Sequence, residues 1–349
     1  MFDNYSGANL SSLGEFGLID HLTGDLPVVN PETIKGVGDD AAVVDTLGKK
    51  LLISTDLLLE NIHFDLIYTP LLHLGYKSIV VNLSDICAMN AIPKQVTISL
   101  GMSSRFGIDA VEELYKGMRL ACEKYNVDII GGDTSSSSKG LIISVTSLGY
   151  AREEDICYRS GASPNELICV SGDLGGAYMG LQLLEREKNV FLQAPGAQPD
   201  LEGKDYIVER QLKPEARTDI VLLLRDLGIR PTSMIDISDG LASEILHLCK
   251  ASSTGCRIYE NKIPIDPMTS DTAREFNLDA TVCALSGGED YELLFTVKTS
   301  DHKLIEHNPL VTIIGHMVGK DEGCNLVSVS GNLYKLKAQG WTAFNDDLN

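Results

Sequence analysis

Apolar residues gather along the chain in two recurring spacings. In some stretches they stand side by side: Leu51–Ser54, Val96–Leu100, Leu141–Leu148, Leu167–Ser171, Leu293–Val297 and Val311–Ile314. These runs are rich in Val, Ile and Leu, and Gly, Asp or Ser lies close to most of them. They predict buried β-strands. Elsewhere the spacing is helical. Across Ile108–Tyr125, the apolar residues Val111, Leu114, Tyr115, Met118, Ala121, Cys122 and Tyr125 fall on one stripe. Gly75–Met89 and Asp239–Ala251 also read as helices. Pro214 opens another through about Leu227, where Gly228 can end it. Strands alternating with helices predict an α/β or α+β architecture. The charged stretch Arg152–Asp155 follows a strand, and Ser160–Asn165 has turn composition, so a domain boundary is expected near residue 150, dividing 1–150 from 151–349. Asn189–Gly203, rich in Pro, Gly and Gln, reads as a surface insertion.

A length of 349 residues suits two domains better than one core. The formal net charge of −20 argues against nucleic acid and anionic membrane as partners. No basic segment followed by an apolar one opens the chain, and no apolar run approaches the roughly 18 residues a membrane helix needs. The eight cysteines are scattered and form no CxxC. They predict reduced, mostly buried thiols in the cytoplasm, rather than disulfides or a zinc site. An acidic protein can still bind an anionic nucleotide when metal ions bridge the two.

The chemistry of the chain lies in Asp residues embedded in Gly, Ser and Thr. They occur in Gly38-Asp39-Asp40, Ser54-Thr55-Asp56, Ser84-Asp85, Gly132-Asp133-Thr134, Asp236-Ile237-Ser238-Asp239-Gly240 and Gly287-Gly288-Glu289-Asp290. Strand ends along one edge of a sheet can converge on a single site, and small neighbours let a ligand approach. Hard carboxylate and hydroxyl oxygens suit Mg²⁺, which retains waters and bridges phosphates. Any one Asp beside Gly is usually a turn residue or a helix cap. Six such motifs at apolar strand or helix edges are harder to explain so, and converging carboxylates without ions would push their own pKa values upward. The residues therefore point to metal-assisted phosphoryl transfer.

Other nucleotide motifs are missing. There is no GxxxxGK[ST], and no HRD or DFG set. Gly36-Val37-Gly38-Asp39-Asp40-Ala41 fits a relaxed GxGxxA, but Ala41–Val44 is short and strand-like, where a dinucleotide loop would open a helix. Ser171-Gly172-Asp173-Leu174-Gly175-Gly176 has the look of a phosphate-cradling strand-to-helix turn.

The strings GVGDDAAVVD, STDLLLENIHF, VNLSDICAMNAIPK, IIGGDTS, RSGA, IDISDGLASEI and LSGGEDYELLF, in that order, resemble the thiamine-monophosphate kinases from Gly14 to Trp341. GDDAA and the DxSDGL-type motif are shared across the wider aminoimidazole-ribonucleotide synthetase-like superfamily. The STD…NxHF, GGDT and SGGEDYE combination is far more specific. The resemblance implies a two-domain fold whose N-terminal domain binds ATP and Mg²⁺ and forms a β-barrel-like interface in a homodimer. It also implies a C-terminal domain that completes an active site between the domains. It implies direct in-line transfer from ATP to thiamine monophosphate, with no phosphoenzyme and no catalytic side chain.

Residue by residue, Asp40, Ser54, Thr55, Asp56, Asp85, Asp133, Asp236 and Asp239 match positions that hold several Mg²⁺ ions, with Asp39 as a neighbour. Gly132, Arg159 and Ser238 match nucleotide-contacting positions. His63, Glu289 and Trp341 match positions that contact thiamine. Physical alternatives stand beside three of these. Arg159 can form a surface salt bridge, Trp341 can be packing, and His63 can be a satisfied loop histidine. Asp290, beside Glu289, can cap a turn. Asn90 stands where the family usually has Gly. The rival readings are a superfamily relative or a catalytically silent sensor. A selenophosphate synthetase would want a reactive Cys near the N-terminus, and the first here is Cys87. A hydrogenase-maturation relative would want a C-terminal Cys, where this sequence reads Asp346-Asp347-Leu348-Asn349.

Overall fold

The structure, a computed structural model, describes residues 21–35, 43–103 and 105–339. The chain divides into two compact units: Met1–Cys87 with Ala91–Ile156, and Ala88–Asn90 with Cys157–Asn349.

In the first unit a short pair, β1 (Thr33–Lys35) and β2 (Val43–Val44), forms its own two-stranded sheet beside a four-stranded one. That sheet contains β3 (Lys50–Leu59), β4 (Ile92–Met102), β5 (Asp128–Ser136) and β6 (Ile142–Ala151), in the order β3-β6-β4-β5. β3 and β4 run antiparallel to β6, whereas β5 is parallel to β4. The parallel pair requires a crossover, and α2 (Ile108–Tyr125) supplies it. The predicted stripe of α2 is buried at Val111, Leu114, Tyr115, Met118, Ala121 and Cys122, with Tyr125 half-buried. α1 (Leu71–Ala88) packs very closely on α2. A Cβ at Gly75 would stand 1.9 Å from the Leu114 carbonyl oxygen, and one at Gly117 would stand 1.9 Å from that of Leu72. Paired glycines thus let the two backbones touch. α1 also lies against β6, where Ser147 Oγ donates to the Asn82 carbonyl at 2.8 Å.

One face of this sheet is sealed by helices, and the other is open. Along β3 the alternation is plain: Leu52 and Leu58 are buried, whereas Ile53 and Leu57 are 63% and 51% exposed. The sheet is open at both edges and does not close into a barrel among the described residues.

The second unit holds a seven-stranded sheet, ordered β13-β12-β9-β11-β7-β10-β8. Its strands are β7 (Leu167–Ser171), β8 (Ser233–Asp236), β9 (Gly255–Tyr259), β10 (Leu293–Val297), β11 (Val311–Val318), β12 (Cys324–Val327) and β13 (Leu333–Lys335). All pairings are antiparallel except β12 on β9. α6 (Leu241–Ser252) buries Leu241, Ile245 and Leu248 against Ile168, Val170, Ile235, Ile258 and Ile314. Each such side chain contributes about 1.5–3 kcal/mol by leaving water. A second core gathers Met179 and Leu183 of α3 (Gly176–Gln193), Ile207 of α4 (Asp205–Leu212), Ala273 of α7 (Pro267–Glu275) and Cys283 of α8 (Ala280–Ser286). α5 (Thr218–Asp226) starts four residues after Pro214 and ends before Gly228, whose φ of +67° suits the stop. Residues 194–203 are mostly exposed, whereas Asn189–Gln193, read in the sequence as part of the insertion, continue α3. Asn90 adopts φ +56°, the left-handed region that favours Gly and that Asn tolerates best among the others. No helix among the described residues is long and apolar enough to cross a membrane.

Candidate functional site

The site is built from strand alternation. On β3, Ser54 and Asp56 share one face, and α1 brings Asp85 to it. Ser54 Oγ donates to Asp85 Oδ2 at 2.5 Å, and the Asp56 amide donates to Asn82 Oδ1 at 2.9 Å. Burial first, and the charge of Asp85 second, push the Asp56 carboxyl up to about 6. Two carboxylates and a hydroxyl, half out of water and repelling each other, form a hard-oxygen set that a divalent cation would relieve. These residues fit Mg²⁺.

Thr55, one residue on, turns to the opposite, open face. Its hydroxyl donates to the Val145 carbonyl at 3.0 Å and accepts from Thr146 Oγ1 at 3.1 Å. The register carries the Asp56 row across Val145 and Ile98 to Gly132. Gly132 therefore lies three strand spacings from Asp56, about 14 Å in a flat sheet. Asp133 belongs to the next row, opposite Ser99, and is exposed on the edge strand β5. A Cβ at Gly132 would meet the Ile98 carbonyl oxygen at 1.9 Å, so only glycine lets β5 lie flat on β4 here. Gly132→Ala is expected to cost roughly 3 kcal/mol by prising these strands apart. Urea unfolding checks this, and a change below about 0.5 kcal/mol, the range of an ordinary surface substitution, would refute it.

His63 sits in the turn after β3. Its Nδ1 accepts from the Leu59 amide at 3.0 Å, which places the proton of the neutral ring on Nε2.

In the second unit, two sequence-distant motifs are laced together. Asp236 ends β8 and is buried. Ser238 is exposed, and Asp239 is half-buried where Gly240 leads into α6. The Glu289 amide donates to the Ser238 carbonyl at 2.7 Å, and the Tyr291 amide donates to that of Ile237 at 2.9 Å. Glu289 and Tyr291 hold φ of +59° and +51°, left-handed values that cost energy for residues with side chains. Gln211 Nε2 donates to Glu289 Oε2 at 2.7 Å, orienting that carboxylate. Burial raises the Asp239 carboxyl, opposed by His247.

Glu244, which sequence reasoning missed, is buried on α6, with its Oε1 accepting from the Asp239 amide at 3.1 Å. Burial pushes it up to about 8, so it is mostly protonated at neutral pH and braces the loop without adding charge. Its place in the first turn of α6 was the available signal.

Asp290 does cap a turn: its carboxylate accepts from the amides of Gly175 and Ala177 at 2.9 and 3.5 Å. The turn that looked like a phosphate cradle is thus filled by the protein's own carboxylate. Tyr206 donates to Asp173 at 2.6 Å, which ties that residue into the same structural network. Arg159 is exposed and makes no ion pair among the described residues. Its carbonyl accepts from Ser252 Oγ at 3.4 Å, at the far end of α6, about 18 Å along the helix from the Asp239 end. Asp39, Asp40 and Trp341 lie outside the described residues. A cavity of about 540 Å³ between residues 21–25 and α2 contains none of these site residues.

Residues 38–151 match the family described as AIR synthase related protein, N-terminal domain. The chain is 32% identical to the thiamine-monophosphate kinase of Bacillus subtilis (strain 168), over 95% of this chain and all of that protein. It is 35% identical to that of Aquifex aeolicus (strain VF5), over 96% of this chain and 99% of the relative. Among solved structures, AaThiL complexed with AMPPCP and TMP matches with a TM-score of 0.72 and 33% identity, covering 97% of this chain and all of the other. The thiamine-monophosphate kinase of Stenotrophomonas maltophilia K279a matches with a TM-score of 0.76 at 29% identity, over 92% of this chain and 98% of its own. The fold and the acidic loops thus place the chain in the AIR-synthase-related class. Within that class, it belongs to the thiamine-monophosphate kinase family.

Proposed function

We propose that the protein transfers the γ-phosphate of ATP to thiamine monophosphate, yielding thiamine diphosphate and ADP. The observation that carries this is its full-length likeness to a relative whose structure holds AMPPCP and TMP. Ser54, Asp56 and Asp85 would hold Mg²⁺ in the first unit. Asp133, Asp236 and Asp239, with Thr55 and Asp40, complete the set that the family resemblance supplies. Within the first unit, the spread of Thr55, Asp56 and Asp133 over both faces of the sheet suits several ions better than one. Mg²⁺, when bound, offsets the charge of two phosphate-bearing substrates and of the transferring group.

The chain's own residues position the substrates. Gly132, Arg159 and Ser238 serve the nucleotide. His63, Glu289 and Trp341 serve thiamine, with Glu289 held by Gln211 and available to offset the cationic thiazolium. The acceptor oxygen is already ionised near neutral pH, so no general base is needed and transfer is direct and in-line. The open face of the first sheet, with Ile53 and Leu57 exposed, is offered as the homodimer surface on which two sheets form the barrel-like interface. The free thiols suit a cytoplasmic setting.

Initial-rate kinetics test the substrate assignment. Trp341→Ala should raise the KM for thiamine monophosphate by about ten-fold or more, with the KM for ATP nearly unchanged. Equal changes in both would remove Trp341 from the thiamine site.

A further inference from the structure

Three cysteines that are far apart in sequence converge inside the second unit. Cys249 lies in the last turn of α6, Cys256 in β9, and Cys324 opens β12. The left-handed Ser253, at φ +54°, turns the chain from α6 into β9, and the parallel register of β12 on β9 sets Cys324 directly beside Cys256. Their sulfurs all lie within 4.8 Å of one another. Cys249 and Cys256 are buried, and Cys324 is half-buried, so the cluster has one side open to solvent.

We propose that Cys249, Cys256 and Cys324 form a binding site for a single thiophilic d¹⁰ cation, distinct from the Mg²⁺ residues. Soft sulfur ligands with no carboxylate among them select Zn²⁺ or Cu⁺ over Mg²⁺. Metal–sulfur bonds of about 2.3 Å place thiolates about 3.8 Å apart, so the trio closes on an ion by ångström-scale side-chain adjustment. Cu⁺ would take the three sulfurs as a trigonal set. Zn²⁺ would add a fourth ligand from solvent on the Cys324 side. The Thr254 side chain is buried beside Cys249. The remaining cysteines, Cys87, Cys122, Cys157, Cys169 and Cys283, are each buried and lie outside this cluster. All eight cysteines are free and seven are buried, as the sequence predicts, and three of them also converge. The trio depends on strand pairing, which spacing alone does not reveal.

The test uses the full chain, reduced and stripped with chelator, then titrated under nitrogen with Zn²⁺ and, separately, with Cu⁺. After gel filtration, metal and protein are quantified. Retention of one equivalent of Zn²⁺, or of Cu⁺ alone, supports the site and identifies which ion it takes. Cys324→Ser should lower the affinity at least about 100-fold, since even loss of an outer-shell partner reaches that scale. Its Mg²⁺-dependent activity without added soft metal should be unchanged. Cys249→Ser should weaken binding similarly, which guards against a folding defect peculiar to one variant. No metal retained by the native chain, retention at the native level by both variants, or loss of two thiols as a disulfide in place of metal uptake would each overturn the proposal.

Discussion

Asp56→Asn lowers turnover by about a thousand-fold or more while leaving the protein folded. The reasoning rests on charge. Asp56 is held close to Asp85 by β3 and α1, and its carboxyl sits at about 6 because burial and Asp85 both disfavour its ionised form. Mg²⁺ reverses that preference, so the same geometry that makes a poor isolated carboxylate makes a good cation ligand. Asparagine keeps the shape and the Asn82 contact to the backbone but loses the charge. A second consequence appears in chelator. The folded-state pKa is raised above the unfolded value of 3.8, so the stability this carboxyl contributes is complete below that value and is lost as pH rises through about 6. At pH 8 without divalent ions, Asp56→Asn should therefore be more stable than the native protein, by roughly 2 kcal/mol. Turnover near the native level, or a variant less stable than native at that pH, would remove Asp56 from the ion set.

Glu292→Ala destabilises the second unit by about 3–5 kcal/mol, a fall in Tm of roughly 10 °C. Glu292 is 1% exposed and stands between the partly buried guanidinium groups of Arg210 and Arg217. It accepts from Arg210 Nη1 at 3.0 Å, from Arg217 Nη1, and from Ser171 Oγ at 2.5 Å. Burial disfavours the charge on Arg210, but Glu292, Asp290 and Asp173 together hold its pKa above the ordinary value. Removing Glu292 leaves two cations short of their shared anion in a region where water cannot replace it. Thermal denaturation at fixed pH measures the effect. A fall of less than about 2 °C would show that Asp290 and Asp219 neutralise the arginines without Glu292.

The two substitutions mark what the sequence reveals and what it hides. β7 and β10 begin and end where their apolar runs do, and α2 spans its predicted stripe, because central strands and a helix packed on a sheet carry their burial in their periodicity. The edge strands were harder to read. β3 extends to Leu59, beyond the apolar run at Leu51–Ser54, because an edge strand with an open face accepts Ser, Thr and Asp at alternate positions. β5 drew attention only as the GGDT motif, since its outer half is small and polar.

Within the candidate site, Ser54, Asp56 and Asp85 are legible as a motif, and the structure does bring them together. The separation of Thr55 from them follows from alternation and becomes visible only once the strand is known. The SGGEDYE string is read in sequence as a substrate motif. In the structure Glu289 stands at the Ser238 loop, whereas Asp290 caps α3 and Glu292 neutralises Arg210 and Arg217. Pairings between residues 75 and 82 positions apart cannot be read from spacing.

The most direct measurement follows the phosphate itself. The purified protein is incubated with Mg²⁺, thiamine monophosphate and ATP labelled in its γ-phosphate, and the products are separated by chromatography. The label should appear in thiamine diphosphate, one per ADP formed. It should be absent when chelator is added or when free thiamine replaces the monophosphate. Folded protein that binds Mg-ATP yet leaves thiamine monophosphate unlabelled would contradict the assignment.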